Sequence, residues 1–271
     1  MTSAAKNSPI VWRDSATNKR YPLQDSKALS LFKAHALAEY PREAVGLIFP
    51  DDTFLPCVNL SNTPEVNFTL DPTVLIDVPE DTILMHSHPD SSAEPSVTDM
   101  VGQRDTGLLW GIVSLNQNAV MDTVIFGENL MSRELLNRPF IHGVFDCYSL
   151  IRDFYMLEMG ILLADFPRQS SWWEVAKYDL YDRNFKEAGF IEMDKTGPLL
   201  RGDVLLMKVG RTTCINHGAI YLGSDCRLQE DKNNCIQAPD MILHHVCDNL
   251  SRREMLSEWQ KRVVKVVRYA H

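Results

Sequence analysis

The sequence predicts an α+β protein in two domains, 1–139 and 140–271. Three observations carry this. Segments with apolar residues at helical spacing are interleaved with short apolar runs of strand length. The pattern changes past Pro139, where a helix that begins near a cysteine opens a second series of strands. A chain of 271 residues has room for two domains of ordinary size, and no internal repeat points to an array.

The elements follow in order. Residues 26–40 place Leu29, Phe32, Ala36 and Tyr40 at helical spacing, with Ser26 or Asp25 as cap and Pro41 as stop. AVGLIFP at 44–50 reads as a buried strand, and ILM at 83–85 as another that runs into His86-Ser87-His88-Pro89. A helix is expected over 96–105, then a strand pair at 108–115 and 119–126. In the second half, 145–160 reads as a helix closed by Gly160, and 201–210 and 217–223 as strands joined by a polar loop. A charged segment at 251–260 precedes a last strand, RVVKVVRY.

Composition narrows the function. The chain is 45% apolar and 23% charged, as expected of a folded protein, and carries a formal net charge of -9. Such a charge disfavours attraction to phosphate backbones and anionic bilayers, so no nucleic-acid partner is expected. The N-terminal MTSAAKNSPIVWRDS has no apolar h-region, and no stretch is long enough to span a bilayer. Folding in the cytoplasm without membrane insertion is the expectation. Six scattered cysteines with no C-x-x-C pair read there as free thiols.

Two constellations carry chemistry. On a strand, His86 and His88 point the same way and can share one metal ion. Asp99, in the first turn of the next helix, can add an oxygen ligand and leave a fourth position open for water. Glu43 is the candidate base for that water, and the ligand set favours zinc. Ser96-x-x-Asp99 is also an ordinary capping box. In the second constellation Cys147 lies at a predicted helix N-terminus, where the dipole lowers a thiol's pKa, and His217 opens a strand that can face it. His244 or His245 can orient that imidazole.

The joint spacing of Glu43, His86-x-His88-Pro89 and Ser96-x-x-Asp99 resembles the JAMM signature of the JAB/MPN metallopeptidases, including the ten residues between His88 and Asp99. The resemblance implies an α/β sandwich over 1–139. There Glu43 activates the metal's water, and Ser96 stabilises the tetrahedral intermediate. FDCYSLIRDFY, RGDVLLM, NHGAIYLG and ILHH occur in the order of the NlpC/P60 cysteine peptidases, which cut peptide stems of peptidoglycan. That implies a papain-like domain over 140–271 with Cys147, His217 and a third member. His244 is preferred because the family's residue follows an apolar pair such as Ile242-Leu243. Two departures stand out. Ser149 replaces a small glycine, and Ser224–Met241, with Cys226 and Cys235, is a polar insertion that puts the third position and the substrate in doubt.

The two modules in this order resemble tail-tip proteins of lambda-like siphophages. The resemblance implies a component of the virion tail tip, assembled in the host cytoplasm with other tail-tip proteins and cutting peptidoglycan stem peptides. A structural assembly protein with vestigial or transiently used sites is the competing class. A deubiquitinase-like JAMM protease accounts for only the first half.

Overall fold

The computed structural model describes residues 11–13, 20–22, 26–127, 134–174, 179–231 and 238–270. The chain divides into two compact units, Met1–Ser132 and Arg133–His271.

In the first unit, strands β1 (Val11–Arg13) and β2 (Arg20–Pro22) form a small antiparallel pair. Helix α1 (Lys27–Glu39) follows, capped by Ser26, whose Oγ accepts from Leu29 N at 2.9 Å. Asp52 adds to the cap by accepting from the backbone N–H groups of Lys27 and Ala28. Next come β3 (Val45–Ile48), β4 (Phe54–Cys57), β5 (Ile83–Pro89), α2 (Val97–Thr106), β6 (Leu109–Leu115) and β7 (Val120–Phe126). The sheet runs β4-β3-β5-β6-β7, parallel only between β5 and β6. A parallel pair needs a crossover, and α2 supplies it. This fixes the site, because the crossover leads from the end of β5, the central strand, directly to the start of α2. Ala28, Leu29, Phe32 and Ala36 bury the apolar face of α1 against Ile48, Met85, Val113 and Ile125.

The second unit opens with α3 (Cys147–Met159), which ends at Gly160 in the left-handed region, φ 69°. Then come α4 (Leu180–Asn184), β8 (Phe190–Met193), β9 (Val204–Met207), β10 (His217–Gly223), β11 (Met241–His244), β12 (Arg252–Met255), α5 (Leu256–Trp259) and β13 (Val263–Tyr269). They build an antiparallel sheet in the order β12-β11-β10-β9-β13-β8. Leu150, Ile151 and Phe154 of α3 pack with Ile220, Leu222 and Leu243. Ala219, Tyr221, Ile242, Leu256 and Val266 form a second core cluster. Gly218 lets Ile151 and Tyr181 close in on β10, since a Cβ there would meet Ile151 Cδ1 at 2.8 Å and the Tyr181 hydroxyl at 3.1 Å and would require them to shift.

The charged segment read at 251–260 holds β12 and α5. Part of the insertion folds onto the unit rather than standing free. Cys226 and Leu228 enter the core beside α3. Arg201 donates to the carbonyls of Asp225 and Arg227 and pairs with Glu158 at 3.1 Å. Cys235 lies outside the described residues.

Candidate functional site

At the end of β5, strand alternation turns His86 and His88 the same way. His86 is fully buried, its ring 4.8 Å from that of Phe68 and 5.6 Å from that of Trp110. Asp99, in the first turn of α2, brings its oxygens to 3.3 Å from His86 Nε2 and 3.5 Å from His88 Nε2. The two Nε2 atoms stand 3.1 Å apart, and the three possible ligand atoms lie within 4.8 Å of one another. His88 Nδ1 is 2.8 Å from the Ser92 carbonyl oxygen, so Nδ1 holds the proton and Nε2 presents its lone pair. A lone pair and a carboxylate converging on one point call for a cation. The three donors fit a divalent metal ion.

The surrounding charges agree. Burial lowers the His86 pKa against the pull of Asp99. At His88 burial acts the same way, but Asp99, the Ser92 carbonyl and Glu43 outweigh it and raise the pKa. Burial works to raise Asp99, yet the two imidazoles beside it hold it well below the carboxylate range. Glu43 is buried, and burial, with Asp99 adding and His88 opposing, raises its carboxyl to about 7. The β3–β5 register pairs Val45 with His86, and Ser87 N donates to Ala44 O, while Glu43, just before β3, donates its N–H to the Pro64 carbonyl. Ser96 caps α2. Its Oγ accepts from Asp99 N at 3.1 Å, and its N–H donates to Asp99 Oδ2 at 2.7 Å.

Cys147 is the first residue of α3. Its cap, Asp146, accepts from the N–H groups of Tyr148 and Ser149 at 3.0 and 2.9 Å. Arg168 grips the Asp146 carboxylate at 2.7 and 2.9 Å and also reaches Ser149 Oγ at 2.8 Å. The serine that departs from the family's glycine therefore anchors the guanidinium. Beside Cys147 lies a cavity of about 210 Å³, largely aromatic, with Tyr148, Trp172, Trp173 and Tyr181 in its walls together with His142, His217 and His245. The Cys147 sulfur hydrogen-bonds the Tyr181 hydroxyl at 3.1 Å. Among the described residues no hydrogen bond joins it to His217, although both line the cavity.

From His217 a chain of contacts leads away from the cavity. Its Nε2 is 3.2 Å from His244 Nδ1, and His244 Nε2 is 2.9 Å from Glu254 Oε2. His245 turns elsewhere. Its Nε2–H donates to the Asn249 carbonyl at 3.0 Å, and its ring stands 5.2 Å from that of Phe140.

One expectation is corrected. The helix N-terminus does not yield a low-pKa thiol at Cys147. Burial and the neighbouring Asp146 push the thiol up to about 11, against Tyr181, the Gly218 N–H and Arg168. The physical reason is first the burial of the sulfur, and second the cap, because Asp146 occupies first-turn N–H groups and sets its own charge beside the sulfur. His217 is pushed down to about 3 by burial, then by His244 and His245. Thiol and imidazole are thus both neutral at rest. Tyr181, Arg168 and Glu254 were missed in the sequence. Tyr181 and Arg168 lie in stretches without motif, and Glu254 sits in the charged segment at 251–260, where no motif marks it either.

Comparison with known proteins finds two domains in this order. Residues 25–125 match prokaryotic homologs of the JAB domain, and residues 137–268 match the NlpC/P60 family. The chain is 34% identical over 251 residues to tail tip assembly protein K of Escherichia phage N15, covering 90% of this chain and 94% of that one. With tail tip assembly protein K of Escherichia phage lambda it shares 32% over 187 residues, 69% of this chain and 80% of that one. A solution structure of a protein from Salinibacter ruber shows 22% identity and a TM-score of 0.25, over 36% of this chain and 76% of that one. By its identity and coverage with the two phage proteins, the chain belongs to the family of tail tip assembly protein K, with a JAB-like domain followed by an NlpC/P60 domain.

Proposed function

We propose that the protein works at a phage tail tip and cuts peptide stems of peptidoglycan, with Cys147 as nucleophile, His217 as base and His244 orienting that base. The observation that carries this reading is the meeting of Cys147 and the His217–His244 chain on one cavity. In the reaction His217 takes the thiol proton as the sulfur bonds to the substrate's carbonyl carbon. The C–N bond breaks, the amine leaves with the proton from His217, and a thioester remains on Cys147. Water then gives one proton to His217 as its oxygen bonds to the acyl carbon, the C–S bond breaks to release the acid, and His217 returns the proton to the sulfur. Tyr181 has to leave the sulfur for this attack. We further propose that it is assembled in the host cytoplasm with other tail-tip proteins, a reading supported by the relatives' names as tail tip assembly proteins. Among the described residues no helix is long and apolar enough to cross a membrane.

For the first unit we propose a zinc-dependent peptidase site with His86, His88 and Asp99 as ligands. A zinc ion held there supplies Lewis acidity at neutral pH. Glu43, whose carboxyl burial raises to about 7 in the metal-free site, is the candidate base for the water. Ser96 is the candidate to stabilise the tetrahedral intermediate. One observation favours a second reading, a structural assembly protein whose peptidase sites are vestigial or transiently used: Tyr181, and not His217, holds the sulfur.

Zymography on peptidoglycan separates these readings. Purified protein should clear the gel, EDTA should leave clearing intact, and a thiol blocker should abolish it. No clearing under any condition favours the assembly protein. The orienting residue gives a second test. His244→Ala should lower turnover by on the order of a hundredfold, since the base then samples wrong tautomers, whereas His245→Ala should cost little. Kinetics on both variants, with folding followed by circular dichroism, check this, and the reverse ranking sinks the assignment.

A further inference from the structure

We propose that Glu254 is a positioning residue that fixes the proton order along His244 and His217, so that the nitrogen left bare on His217 is the one needed as base. The inference rests on the reading of Cys147 and His217 as a peptidase pair.

The sheet register brings the three groups together. Ala219 of β10 lies opposite His244 of β11, which lies opposite Arg252 of β12. His217 and Glu254 are each two residues from those partners, so all three side chains share one face of the sheet. Three donors converge on the Glu254 carboxylate: Arg252 Nε at 2.7 Å, Trp259 Nε1 at 2.6 Å and His244 Nε2 at 2.9 Å. The Trp259 ring also packs against both imidazoles, 4.4 Å from His244 and 5.9 Å from His217. Burial acts to raise the Glu254 carboxyl, but hydrogen bonds from Arg252 and Trp259, with the nearby charges, bring it below the usual carboxylate range.

The rest is proton counting. An ionised carboxylate can only accept, so His244 Nε2 must carry a hydrogen. Burial lowers the pKa of both imidazoles and keeps them neutral, and a neutral ring has one N–H. His244 Nδ1 is therefore bare and can only accept. His217 Nε2, 3.2 Å away, must then be the donor. That leaves His217 Nδ1 bare, and it makes no hydrogen bond among the described residues. A single carboxylate thus sets the tautomer two rings away. Without it the chain can run in reverse and put the proton on His217 Nδ1, where the ring cannot take one from a thiol.

Glu254→Gln tests this because its amide NH2 must face one of the three donors, while Glu254→Asp keeps the charge. The readouts are nitrogen-15 NMR of the histidines and the rate at which iodoacetamide alkylates Cys147, followed by peptide mass mapping. In the native chain both rings should carry hydrogen on Nε2. Glu254→Gln should reverse or mix that order and slow alkylation about tenfold to a hundredfold, the usual cost of losing such a supporting partner. Glu254→Asp should recover most of the rate. On peptidoglycan sacculi the loss should fall on kcat and leave KM unchanged. A native spectrum with hydrogen on His244 Nδ1, or alkylation of Glu254→Gln within twofold of native, overturns the proposal. Should Glu254→Gln fail to fold, the native spectrum and Glu254→Asp decide. If native protein leaves sacculi uncut, the peptidase reading fails, and the spectrum still judges Glu254.

Discussion

Cys147→Ser is expected to stop release of muropeptides from peptidoglycan, a loss on the order of a thousandfold or more, as when the nucleophile of an acyl-transfer enzyme is removed. The substitution exchanges one sulfur for one oxygen at the first position of α3 and keeps a hydrogen-bonding group 3.1 Å from the Tyr181 hydroxyl in the native chain. The Asp146 cap uses the backbone of Tyr148 and Ser149 and does not involve the sulfur, so the helix should remain intact. What changes is nucleophilicity. A hydroxyl is a far weaker nucleophile than a thiol and gives up its proton to an imidazole such as His217 far less readily. Cleavage measured on purified sacculi, with and without EDTA, checks the assignment. If EDTA stops cleavage and Cys147→Ser does not, the roles of the two units are reversed.

That prediction was open to the sequence, because Cys147, His217 and His244 stand in words of fixed order. The metal group was open for the same reason. Two histidines at strand spacing followed by a capping box fix both the direction of the rings and the turn of helix that faces them. What stayed hidden depends on contacts far apart in the chain. Arg168 meets Asp146 from 22 residues away, and nothing in its neighbourhood marks it. Tyr181 reaches the sulfur from a helix only five residues long, too short to show a period. Glu254 lies on an edge strand whose charged residues break the apolar alternation by which strands are read. The thiol's pKa departs from the expectation first because the folded chain buries the sulfur, which the sequence does not show, and second because of the cap. Asp146 satisfies the amides that would have favoured a thiolate and adds a charge that opposes one.

In the first unit, His88→Ala is expected to reduce zinc content from about one ion per chain to almost none. His88 is the informative ligand to remove because the other choices disturb more than the metal. Asp99 also closes the capping box with Ser96, and His86 fills a fully buried place against Phe68 and Trp110. His88 is bound to the protein mainly through the Ser92 carbonyl, so its loss should leave β5 and α2 in place. Two remaining donors are too few to hold the ion against water. The same substitution predicts a thermal signature. A ligand that binds only the folded state stabilises it by about 4 kcal/mol at a thousand times its Kd, so EDTA should lower the first transition of native protein clearly. His88→Ala should already melt at that lower temperature and ignore the chelator. Elemental analysis of both proteins, with melting curves in zinc and in EDTA, measures each part. Zinc retained by His88→Ala, or native protein that neither holds metal nor responds to EDTA, rules out the site.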